Sequence, residues 1–146
     1  MSESGPRPAR TISVTVQGVP PKKDGAMSLW GKPVEIARLK ALRAAVSAAM
    51  DGAPLFSAGV GLRLVAFAKP RSGDLDDFLT GICDGLMARH PRTFIAEAAW
   101  SDVPSELHPD HPVAFVDDVI IALIEAERRP PPAAGEYYTL TLEELP

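Results

Sequence analysis

Residues 60–86 read VGLRLVAFAKPRSGDLDDFLTGICDGL. The first part, residues 60–69, is almost uniformly apolar and partly β-branched, and it is bounded by Gly59 and Pro70. That pattern predicts a strand buried along most of its length. After the turn Pro70-Arg71-Ser72-Gly73, the residues Phe78, Leu79, Ile82, Cys83 and Leu86 recur at helical spacing. A helix therefore starts near Asp74-Leu75-Asp76-Asp77, where carboxylates are favoured by capping and by the helix dipole. A buried strand that feeds a helix needs other strands beside it and implies a sheet carrying helices.

The flanking sequence supplies those partners. Residues 11–17, TISVTVQ, alternate between apolar and polar and predict a half-buried strand, which the prolines of Gly18-Val19-Pro20-Pro21 end. Lys22-Lys23-Asp24-Gly25 follows as a basic turn. Pro33 suits a first helical turn, and Ile36, Leu39, Leu42, Val46 and Met50 keep a helical period until Asp51-Gly52, with Lys32, Arg38, Lys40 and Arg43 decorating the helix. Residues 119–127 permit a helix but also alternate as a strand would, and the sequence leaves both open. Residues 128–135, RRPPPAAG, form a proline-rich connection, and residues 137–143, YYTLTLE, read as a final strand. Residues 88–115 are irregular and proline-bearing, longer than an ordinary connection, and have the look of an insertion. The expected fold is α/β, in the α+β sense of a mixed sheet of about four strands with two main helices. A polar, disordered tail is expected over residues 1–10 and a single domain over residues 11–146.

Composition sets the boundaries of function. With 146 residues, 46% hydrophobic and 23% charged, the chain suits one packed domain. No apolar run approaches the roughly 20 residues of a membrane helix, and the start lacks a signal-peptide stretch, so a cytoplasmic protein with no membrane partner is expected. Cys83 is the one cysteine, which excludes an internal disulfide and fits a reducing compartment. The net charge of −4 conceals an asymmetry: residues 1–71 carry 11 basic and 4 acidic residues, whereas residues 72–146 carry 4 basic and 15 acidic ones. A positive half can track phosphates while carboxylates in the other half hold divalent cations. A solvated acidic surface is the plainer reading of the same balance.

Two acidic groups stand out. Asp74 and Asp76 are two residues apart and share a face if the backbone there is extended, and Asp117-Asp118 lie on another element. Carboxylates converging from two elements suit Mg²⁺, which takes oxygen ligands and keeps several waters. The plainer reading is that such residues cap helices and make turns.

The order of these parts resembles the RusA-type Holliday junction resolvases. The resemblance lies in a short strand ending in Pro-Pro, a long helix, a strand, the run SGDLDDFLTGICDGL, a later Asp-Asp and a last strand TLTLEEL. It covers most of residues 11–145 outside residues 88–115, and Asp-Leu-Asp-Asp opening a helix that ends in Asp84-Gly85-Leu86 is its most specific part. It implies a metal-dependent crossover junction endodeoxyribonuclease of DNA recombination and repair, acting on branched DNA such as a four-way junction. It further implies a homodimer, Mg²⁺ or Mn²⁺ as cofactor, catalytic Asp74, Asp76 and Asp118, and Asp117 as an additional metal ligand. Asp77 replaces the family's asparagine, and Thr80 stands where a family lysine would be. Either a cation for the transition state then comes through space, from the candidate DNA-binding residues Lys22, Lys23, Lys69 or Arg71, or turnover is slow. Rival readings are a RusA-fold protein that binds branched DNA without cutting it, and an acidic protein-interaction module.

Weaker signals read as structural. His90, His108 and His111 fall in the long connection, where Pro109 breaks the helical spacing that paired ligands need. Cys83 reads as a small buried hydrophobe, and Trp30 and Trp100 as packing residues. Arg128 and Arg129 are candidates for DNA contact beside Asp118, with solvent exposure as the plainer alternative.

Overall fold

The computed structural model describes residues 9–23 and 28–146. Most of the expected N-terminal tail, and Asp24-Gly25 of the basic turn, lie outside the described residues.

Four strands form one mixed sheet. β1 (Thr11–Gln17) runs antiparallel to β4 (Tyr137–Glu144), β4 antiparallel to β2 (Val60–Phe67), and β2 parallel to β3 (Ile121–Arg129). The order across the sheet is β1-β4-β2-β3. Register explains the sequence pattern: Val14, Leu140 and Leu64 lie side by side, as do Ile12, Leu142 and Leu62, so one face is apolar throughout. Helices α1 (Pro33–Met50) and α2 (Leu75–Leu86) cover that face, and Leu42, Val46, Phe78, Ile82 and Leu86 join the strands in one core. The opposite face is polar: the hydroxyls of Ser13 and Thr141 bond at 2.9 Å, and Arg63 lies 3.7 Å from Glu127.

The expected mixed sheet with two long helices is what the chain forms. The segment left open between helix and strand is β3, because the far edge of β2 accepts it with Ile124 beside Leu62 and Ala126 beside Leu64.

Arg43 departs from the reading of a helix decorated on its outside. It is 0% exposed, and burial pushes its guanidinium down to about 10. It donates to the carbonyls of Gly85 (2.7 Å), Met87 (3.0 Å), Leu107 (2.9 Å) and His108 (2.8 Å), and also to that of His111. The helical pattern reserves its position for the inside, and the carbonyls of the turn after α2 and of the long connection supply the acceptors a buried charge requires. Residues 88–115 pack through Ile95 and Trp100 into a second apolar cluster with Leu29, Trp30, Ile36 and Leu39. The two tryptophan rings lie 5.7 Å apart, and Trp100 Nε1 donates to the carbonyl of Trp30.

Candidate metal centre

α2 begins where β2 has ended and a turn, Pro70–Ser72, has redirected the chain. Two side chains hold that turn. Glu136 accepts from the Lys69 amide at 2.8 Å and the Ser72 hydroxyl at 2.6 Å, bonds that keep its carboxyl below the usual range. Arg128, at the end of β3, donates to the carbonyls of Lys69 (2.8 Å) and Gly73, with its guanidinium over the Phe78 ring. Gly73 adopts φ 149°, and a side chain there would stand 2.7 Å from that ring and 3.1 Å from Cδ of Lys22.

Asp74 is the N-cap residue of α2, in extended conformation, yet its side chain makes no capping hydrogen bond. Asp76 and Asp77 occupy the first turn. One carboxylate oxygen from each of Asp74, Asp76 and Asp77 lies within 4.8 Å of the others. Asp74 and Asp76 therefore do converge, through a helix start rather than a continuous strand. The helix dipole offsets part of their mutual repulsion, and hard oxygen donors of this kind suit Mg²⁺ or Mn²⁺. The hydroxyl of Thr80, one turn on, is bonded back to the Asp76 carbonyl at 3.0 Å.

Asp117 and Asp118 are elsewhere. They line a cavity of about 320 Å³ at the other end of α2, together with Asp84, Lys23, Met87 and Arg89. The ten residues from Asp74 to Asp84 correspond to about 15 Å of helix. Within one chain, Asp74 and Asp76 are grouped with Asp77, whereas Asp118 is grouped with Asp84. The Asp84 carboxyl is raised, chiefly by burial and further by Asp118, against the opposing pull of Lys23 at 3.6 Å. Asp117 accepts from the Val119 amide at 3.0 Å, and the Asp118 amide contacts Met87 Sδ at 3.2 Å. Asp84 was named in the motif but given no role; its position two turns after Asp77, on the same helical face, was the available signal.

The basic segment bridges both groups. A side chain on Gly81 would stand 2.0 Å from the Pro21 carbonyl oxygen, so only glycine lets this segment lie directly across α2. The Lys23 amide donates to the Asp77 carbonyl at 3.3 Å, and the Lys22 amide to the buried carboxylate of Glu35 at 2.9 Å. The Lys22 side chain thus passes Gly73 beside the Asp74 group, while the Lys23 side chain reaches Asp84. Lys69 and Arg71 are exposed in the turn just before Asp74.

Arg128 lies by Gly73, not beside Asp118: β3, whose nine residues span about 30 Å, separates it from Asp118. Cys83 is buried, its thiol pushed up to about 12 by burial and by Asp118 and Asp84. His108 is held by Glu97 and by the Asp110 amide, as loop residues are. Among the described residues, no helix is long and apolar enough to cross a membrane. No protein-family model matches this chain, and no curated protein matches it significantly.

Proposed function

We propose that this protein is a metal-dependent endodeoxyribonuclease that hydrolyses phosphodiester bonds in branched DNA, four-way junctions included, as a cytoplasmic homodimer. The observation that carries the reading is the convergence of Asp74, Asp76 and Asp77 within 4.8 Å, with the Asp74 carboxylate not spent on its own helix cap. The likeness of the chain's parts to RusA-type resolvases gives this convergence its meaning.

Asp74 and Asp76 would hold Mg²⁺ or Mn²⁺, with Asp77 adjacent. The bound ion supplies positive charge to the scissile phosphate and an acidified water. Lys69 and Arg71, on the turn that leads into Asp74, hold the DNA backbone on one side, and Lys22 approaches from across Gly73. Lys22 and its neighbours take the place of a cation at Thr80. The Arg128 and Glu136 bonds keep the turn fixed, so the carboxylates are set before DNA arrives.

The test is a gel assay of a labelled four-way junction against a linear duplex of the same sequence, with Mg²⁺, Mn²⁺ or EDTA. Paired, metal-dependent nicks confined to the junction are expected from the wild type, and none from Asp76→Asn. Junction that is bound but uncut under every condition would replace the nuclease with a binding protein of the same fold. No salt-sensitive DNA binding at all would leave an acidic protein-interaction module.

A further inference from the structure

The sheet face turned away from α1 and α2 changes character along its length. One end carries Glu125 and Glu143, both exposed. At the other end the register sets Gln17, Tyr137, Phe67 and Arg129 in one row across all four strands. The rings of Phe67 and Tyr137 stack, with centroids 4.4 Å apart and planes 11° from parallel, and the Arg129 guanidinium stands 5.7 Å from the Phe67 centroid. The stack is thus closed by a cation on the β3 side. On the β1 side Tyr137 borders Gln17, the exposed last residue of an edge strand. A cross-strand aromatic pair supports a sheet, yet both rings of this one are only half-buried.

The row is continuous with the basic turn before Asp74. Lys69 follows Phe67 by two residues in extended backbone, so it leaves the sheet on the same face, and both Lys69 and Arg71 are exposed. Glu136, next to Tyr137, binds the Lys69 amide and the Ser72 hydroxyl through its carboxylate, and its carbonyl accepts from the Gly18 amide at 2.9 Å. Rings and turn are thereby fastened to one another. The carboxylates at this end are both engaged, Glu136 in those bonds and Glu127 with Nε and Nη2 of Arg129 at 3.0 and 2.9 Å. Half-exposed rings beside exposed cations fit a polyanion that carries flat bases, with phosphates on the cations and a base on the rings. Paired bases are covered by their own stack, so the base that reaches Tyr137 is an unpaired one.

We propose that Tyr137, backed by Phe67 and Arg129, is a stacking site for an unpaired nucleobase of single-stranded DNA whose phosphates lie along Lys69 and Arg71. The Gln17 amide stands beside that base; because an amide both donates and accepts, it takes any of the four bases. The stacking site stands on this face alone, while its use rests on the nuclease reading. The turn that carries Lys69 and Arg71 leads into Asp74, so an unpaired stretch anchored on Tyr137 is directed towards the carboxylates. The feature selected in a branched substrate is then the unpaired stretch at the branch.

The probe is a short single strand in which thymine alternates with 2-aminopurine, a base whose fluorescence falls when it stacks, added to the full chain in EDTA. The emission should fall with the wild type and with Tyr137→Phe. Tyr137→Ala should abolish the fall and weaken binding about tenfold. Because Tyr137→Ala also removes a cross-strand pair, its melting is measured alongside, and Gln17→Glu supplies a variant at an exposed position. Gln17→Glu should weaken binding more than Ser13→Glu, which places the same charge further back along the same face of β1. Emission that stays constant with the wild type, or that falls equally with a folded Tyr137→Ala, overturns the stacking site. An oligoproline peptide that binds the wild type and not Tyr137→Ala, where the single strand binds neither, would give the rings to a peptide instead. Quenching by a wild type that cuts no junction in Mg²⁺ or Mn²⁺ would keep the stacking site and sink the nuclease reading, whereas junction cutting without quenching would do the reverse.

Discussion

The carbonyl oxygen of Pro21 lies 2.0 Å from where a side chain on Gly81 would stand, which makes the middle of α2 the seat of the basic segment. Gly81→Ala must push that segment away, because the colliding atom is backbone and cannot rotate aside. Overpacking of this kind costs about 1–3 kcal/mol, measurable as a lower urea midpoint. The same substitution should weaken DNA binding by loosening Lys22 and Lys23, although it removes no charge. Unchanged stability would mean that the segment is not seated on α2.

Arg43→Met preserves much of the side-chain length and leaves five carbonyls of residues 85–111 without their shared donor. Leaving a buried acceptor without its donor costs about 1–3 kcal/mol. Equilibrium unfolding should register that loss. Native-state hydrogen exchange should show residues 88–111 opening well before the sheet does.

Asp84 gives a pH signature. Its folded carboxyl is raised above the ordinary value of 3.8, so the neutral form favours the folded state. The associated stability is fully present below the ordinary value and is lost as pH rises through the folded one. Asp84→Asn should therefore match the wild type in acid and exceed it at neutral pH. Paired urea titrations at the two conditions check the difference, and a variant weaker than wild type at neutral pH would show that the Lys23 bond outweighs burial.

Mg²⁺ should raise the melting temperature of the wild type. By mass action, an ion at a hundredfold excess over its dissociation constant contributes about 2.7 kcal/mol. Asp76→Asn should lose this response and, in EDTA, melt at or slightly above the wild-type temperature, since like charges within 4.8 Å are relieved. An equal Mg²⁺ shift in both proteins would place the ion elsewhere.

The elements that the sequence foretold are those with a burial pattern of their own. TISVTVQ alternates because one face of β1 meets the core, and β2 is nearly all apolar because strands flank it on both sides and the helices cover one face. β3 was ambiguous for the opposite reason: as an edge strand it is exposed on both faces over its middle, so burial imposes no period on it. The pairing of Asp74 with Asp76 was legible, although its cause is the geometry of a helix start. The separation of Asp118 from both was not legible, because the path of residues 88–115 decides which end of α2 it meets. The inward place of Arg43 follows from its spacing between Leu39 and Val46, but its partners were not legible, because they are carbonyls of a segment with no sequence signature.

The two edges of the sheet are unlike. β1 offers Thr11, Ser13, Thr15 and Gln17 outward on the exposed face, while β3 offers leucine and isoleucine between poles of opposite charge. β1 carries none of the charges that flank the middle of β3. Of the two edges, β3 therefore carries the greater hazard of strand addition.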